Sequence, residues 1–195
     1  MAKKSRGAQV MGFIGVALFA CGMTGGYFAI RFAPALVSAS DRTIALAQSG
    51  LAYDANFRSL PGGDPMVLAF LQNRAELLGV HVAFVPKDHP QLDGALGMSW
   101  ENPLGRFVIV KDDGSFNDRL SVLAHELGHS FEPPQLTPVQ GQVFAELVGV
   151  EICARLGVDV SAAAANYLRA HKNEHDIARL YMREIRFVAL ILTEG

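Results

Sequence analysis

Residues 115–134 read SFNDRLSVLAHELGHSFEPP, a helix with both of its ends marked. Ser115-x-x-Asp118 is a helix-opening box, and Pro133-Pro134 forbids the helix from continuing past them. Leu120, Leu123, Ala124 and Leu127 recur at helical spacing and predict a stripe that anchors the segment in a core. His125 and His129 stand four residues apart, so both imidazoles lie on one face and can reach one tetrahedral zinc ion. Glu126 is turned away by about 100°, where a carboxylate reaches a water beside the metal rather than the metal itself. Gly128, between the two histidines, predicts that another backbone approaches this helix closely.

The flanking sequence gives the helix its setting. Asp64-Pro65 opens a helix that Gly79 closes. Val80–Val85 (VHVAFV) and Arg106–Val110 (RFVIV) read as strands, with a short third strand possible at Ala95–Trp100. Asp112-Asp113-Gly114 is a turn leading into the Ser115 helix. Downstream, Thr137-Pro138-Val139-Gln140 opens a helix that Gly157 ends, Ser161 caps another, and Asn173-x-x-Asp176 opens a last one running to about Leu192. The order of one helix, two or three strands and four helices predicts an α+β domain with a small sheet beside a helical layer.

Zinc needs a third protein ligand, and two glutamates of the Thr137 helix compete for that role. Glu146 follows His129 by 17 residues and Glu151 by 22. Five residues turn a helix through about 140°, so the two face different sides. Glu151 precedes Arg155 by four, the favourable order for an ion pair, which gives it an ordinary role. Glu146 has no basic residue three or four positions away on its helix and shares a largely apolar face, where an unpaired carboxylate is costly unless a cation neutralises it. Glu146 is therefore the expected ligand, with Glu151 as the alternative.

The run Leu120–His129 resembles the LAHELGH core of gluzincin-type HExxH zinc metallopeptidases. Ala145–Gly157 (AELVGVEICARLG), with Tyr167-Leu168 and the final helix, resembles the zincin domain of ArdC-type antirestriction proteins over roughly residues 105–192 and, more distantly, ImmA/IrrE-type peptidases. The resemblance implies a zincin-like fold, Zn2+ held by His125, His129 and Glu146, Glu126 as the catalytic carboxylate, and a peptide or protein substrate cut internally. Zincins hold substrate as a strand added to a sheet edge beside the metal; the resemblance places that edge at Arg106–Lys111, with Arg106, Val108 and Val110 meeting the substrate.

Other side chains receive plainer readings. Tyr167 and Tyr181 are both candidates to donate to a transition-state oxyanion, and the sequence does not choose between them. His171 and His175 are separated by the helix-opening Asn173 and read as surface or interhelical groups, as do His81 on a strand and His89 in a loop. Cys21 and Cys153 read as buried apolar fillers. The apolar run Phe187–Leu192 is core or interface, far too short to span a bilayer.

Of 195 residues, 50% are apolar and 18% charged, which excludes a disordered chain, and two cysteines exclude a disulfide scaffold. The formal charge of −2 hides an asymmetry: residues 1–40 hold four basic and no acidic side chains, whereas the rest hold 13 basic and 19 acidic, a net of −6. From Ala8 to Ile30 there are 23 uncharged residues, enough to cross a bilayer as one helix. The expected organisation is a membrane anchor over 1–39, a linker with a short helix over 40–63, and a zincin-like domain over 64–195. A cleaved signal peptide ending near Val37-Ser38-Ala39 is the alternative to a single-pass anchor. Lys3, Lys4 and Arg6 favour a catalytic domain outside the cytoplasm, while Arg31 and Arg42 dilute that bias. Two further classes stay open: a zinc-containing zincin-fold binding module of a membrane assembly, and an antirestriction-type nucleic-acid-associated factor. An intact Glu126 argues against the first, since a purely structural site needs no general base, and the net −6 argues against nucleic acid as a partner.

Overall fold

The structure, a computed structural model, describes residues 39–49, 62–171, 174 and 176–194. Its elements are α1 (residues 39–48), α2 (Pro65–Leu77), β1 (Val80–Val85), β2 (Gly97–Asn102), β3 (Gly105–Lys111), α3 (Phe116–Ser130), α4 (Pro138–Arg155), α5 (Ser161–Ala170), α6 (Asp176–Leu180) and α7 (Met182–Thr193). The α+β order therefore agrees with the sequence. The expected membrane helix does not stand as part of this fold: among the described residues no helix is long and apolar enough to cross a membrane, and residues 8–30 lie outside them.

Local chemistry sets most boundaries. Asp64 caps α2 by accepting from the Met66 amide at 2.8 Å, and Gly79, at φ +75°, turns the chain out of that helix into β1. Ser115 and Asp118 form a reciprocal capping box on α3, as Thr137 and Gln140 do on α4. Two expectations are corrected at the C-terminal end. Ser161 is the first residue of α5 and does not cap it; its amide instead donates to the Asp159 carboxylate at 3.0 Å. The last helix is broken at Tyr181 into α6 and α7, and Asn173 lies outside the described residues.

The sheet has the order β1-β3-β2, with β3 parallel to β1 and antiparallel to β2. Strands β2 and β3 form a hairpin around Pro103-Leu104, with Asn102 opposite Gly105. This corrects the expected substrate edge. Arg106–Lys111 is the central strand, with both sides of its backbone engaged, and Val108 and Val110 are buried in the core. The edge strands are β1 and β2, and β2 is the one that borders the cleft.

Helix α3 packs on the sheet and α4 packs on α3. Their crossing is tight at two glycines. A Cβ on Gly128 would lie 2.6 Å from the Ala145 Cα and 2.8 Å from its carbonyl oxygen, and one on Gly149 would lie 3.2 Å from the His125 amide nitrogen. The close approach expected at Gly128 is thus made by α4. Because the obstruction is backbone, Gly128→Ala must push the two helices apart. We expect a loss of about 1–3 kcal/mol in stability, read as a lower midpoint in urea with an unchanged slope.

From Gly141 to Cys153 helix α4 is buried except at Gln142 and Glu146. These two are four residues apart, so one narrow face of an otherwise enclosed helix opens to solvent. Helix α1 belongs to the same core through Ala39 and Ala47.

Candidate metal centre

That open face of α4, the histidine face of α3 and the edge strand β2 enclose a cleft of about 940 Å³. His125, Glu126, His129 and Glu146 all line it, so the four residues singled out for metal binding and catalysis come together in space. The imidazole centroids of His125 and His129 are 5.0 Å apart.

Each imidazole is held from behind by a carboxylate. The Nδ1 of His125 lies 2.8 Å from Glu146 Oε2, and the Nδ1 of His129 lies 2.9 Å from Glu132 Oε2. With Nδ1 donating to a carboxylate, Nε2 is left as the ring atom for a metal, and the ring becomes a stronger ligand. Four glutamates (101, 126, 132 and 146) and one arginine line the cleft. The arginine, Arg106, donates to the Leu78 and Ser130 carbonyls at 2.7 and 3.2 Å and lies over the Phe131 ring, so its role is to tie β3 to α2 and α3. An acid-rich cleft with two imidazole nitrogen donors suits a divalent cation, and imidazole with carboxylate is zinc chemistry. The residues present therefore fit zinc by donor type. Among the described residues, no three His, Cys, Asp or Glu side chains stand together where they could hold a metal ion, and Glu146 sits at His125 Nδ1.

Glu126 is buried, at 9% exposure, and faces β2. A Cβ on Gly97 would fall 2.7 Å from the Glu126 Cγ and 2.9 Å from its Oε1, so only glycine lets this carboxylate lie against the strand. Burial pushes the Glu126 carboxyl above the ordinary carboxylate range, against the opposing pull of the two histidines and a hydrogen bond from Ser99. For His125, burial works to lower the pKa, but the hydrogen bond to Glu146, with the charges of Glu146 and Glu126, outweighs it and leaves the imidazole above its usual value. Two raised values in one cleft, Glu126 by burial and His125 by its carboxylate neighbours, are a mark of functional sites.

The two tyrosines are now distinguished. Tyr167 lines the cleft, with its ring 6.0 Å from that of His125 and its hydroxyl donating to Gln142 Oε1 at 2.6 Å. Burial and the charges of Glu146 and Glu126 raise its pKa, so it remains a proton donor. Tyr181 accepts from Gln135 and packs on Phe144, away from the cleft. The His171 ring packs against that of Tyr167, centroids 4.9 Å apart and tilted by 51°, and His175 lies outside the described residues.

Glu151 is not part of the site. It is fully buried and accepts from the Ser40 amide at 3.1 Å and the Ser40 hydroxyl at 2.6 Å. The expected Glu151–Arg155 pair is replaced by a bond from Arg155 to Glu194 at 2.7 Å. Cys153 is a buried filler as expected, its thiol pushed up to about 12 by burial; Cys21 lies outside the described residues. Glu132, Gln142, Gly97 and Ser99 are site residues that the sequence reading missed. The glycine inside a strand was the one available signal. Comparison of the chain with family models, with curated proteins and with solved structures finds no match.

Proposed function

We propose that this protein is a zinc-dependent metallopeptidase. The observation that carries the reading is the meeting, in one cleft, of two imidazoles with their Nδ1 atoms held by carboxylates, a buried carboxylate one residue from the first, and the edge strand of a sheet. His125 and His129 would hold the metal through Nε2. Glu146 would add an oxygen by turning from His125 Nδ1 toward the metal, because a carboxylate on Nδ1 does not reach an ion on Nε2 of the same ring. A zinc ion there supplies Lewis-acid chemistry, acidifying a water and polarising a peptide carbonyl.

The chain's own residues perform the proton transfers. Glu126 takes a proton from the attacking water as its oxygen bonds to the carbonyl carbon. The peptide C–N bond then breaks, and Glu126 returns the proton to the departing amine. Tyr167 donates to the oxygen that gains charge, in exchange for its present partner Gln142. A peptide laid along β2 pairs with backbone groups between Gly97 and Asn102 and brings its carbonyl beside Glu126.

The test is made on the full chain, by metal analysis and by hydrolysis of an unstructured protein and a mixed-sequence peptide library. About one zinc per chain is expected, with hydrolysis abolished by a zinc chelator and restored by zinc. A protein that binds no zinc, or whose hydrolysis survives complete metal removal, overturns the reading.

A further inference from the structure

Resting on that reading, we propose that Glu132 is the positioning residue for the second metal-binding histidine, and that Gly141 is the seat that holds it. Glu132 follows the last residues of α3 and its Oε2 lies 2.9 Å from His129 Nδ1. Both carboxylate oxygens and the carbon between them lie within 2.3–2.5 Å of where a Cβ on Gly141 would be, too close for one to fit unless the carboxylate moves. Gly141 is in the first turn and a half of α4, whose amide from that residue already donates to the Thr137 carbonyl. The bare Cα therefore leaves a pocket at the positive end of a helix, and the negative charge of Glu132 fills it. The carboxylate is pinned on one side by α4 and meets the imidazole on the other. Its partner Glu146 has no such seat; its side chain stands on the open face of α4 and can turn toward a cation.

The arrangement divides the labour between two carboxylates that look alike in sequence. Glu146 touches His125 and is free to ligate, whereas Glu132 has both oxygens packed against Gly141 and acts only through the His129 ring. Its effect is to fix the tautomer that presents Nε2 to the metal and to raise the basicity of that nitrogen. Gly141 lies inside a helix, where alanine is ordinarily favoured over glycine. A glycine there is explained by what its missing side chain admits.

The experiment compares full-length wild type with Glu132→Gln, Gly141→Ala and the double variant. Zinc affinity is read by competition with a chromophoric chelator, and the ligand field by the visible absorption of the cobalt(II)-substituted proteins. Each single change is expected to weaken zinc binding about 10–100-fold and to shift the cobalt bands. The double variant should bind no more weakly than Glu132→Gln alone, because the alanine acts only by expelling Glu132. Thermal midpoints of the metal-free proteins should be unchanged for Glu132→Gln and equal or higher for Gly141→Ala. Wild-type zinc affinity and cobalt spectrum in Glu132→Gln, an isostere that leaves the backbone alone, would overturn the proposal while leaving the peptidase reading intact. A wild type without zinc affinity would instead overturn the peptidase reading itself.

Discussion

Glu126→Gln is expected to cut peptide hydrolysis by orders of magnitude while leaving zinc bound. The amide fills the same space against Gly97 and β2 but cannot take the proton from the attacking water. General-base catalysis of this kind contributes roughly 10²–10⁴-fold, so kcat should fall by that factor, with zinc content unchanged. The same substitution should make the metal-free protein more stable at neutral and alkaline pH. Burial raises the Glu126 pKa in the folded chain, so the fold holds the proton more tightly than the unfolded chain does. That contribution is fully present below the ordinary carboxylate pKa and disappears as pH rises through the raised one. Thermal midpoints of wild type and Glu126→Gln, measured without metal from pH 4 upward, should coincide in acid and separate as pH climbs, with the variant higher. Hydrolysis undiminished in Glu126→Gln, or a wild type that stays as stable as the variant across the range, would contradict this role.

The second large effect separates the two glutamates of α4. Glu146→Ala removes a carboxylate from the cleft and should weaken zinc binding by more than the roughly 10–100-fold that losing an outer partner costs. The fold should tolerate it, because the side chain stands on the open face of the helix. Glu151→Ala should do the reverse. It leaves the amide and hydroxyl of Ser40 buried without a partner and opens a hole beneath α1, at a cost of about 2–4 kcal/mol. Zinc affinity of the folded protein should then be unchanged. Isothermal titration and urea unfolding on both variants read the two effects separately, and an exchange of the two outcomes would make Glu151 the ligand.

These two glutamates also mark where the sequence was readable and where it was not. Caps, glycine stops and the i, i+4 histidines are local signals, and they located α2, α3 and α4 together with His125, Glu126 and His129. Helical phase separates Glu146 from Glu151, and Glu146 lies on the face of α4 that lines the cleft, although that face reads as apolar in sequence; the local reading of Glu151 does not hold. A nearby Arg155 suggested an i, i+4 pair, whereas the true partner, Ser40, is 111 residues away. The expected substrate edge at Arg106–Lys111 fails for the same reason. Arg106–Lys111 reads as a good strand, but nothing within it says whether its neighbours lie on one side or both. Glu132 sits in a proline-bounded loop that looks like mere punctuation, and its meaning depends on a glycine of the next helix.

The crossing at Gly128 and Gly149 has a further consequence for the relation between metal and fold. In small zinc modules the ion replaces a missing core, and the apo chain is unfolded. Here both helices that carry the proposed ligands are already locked backbone to backbone within a continuous apolar core. The energy that places the proposed ligands is supplied during folding. On the proposed reading zinc would add stability to a fold that forms without it, and removing the ion would leave the chain folded.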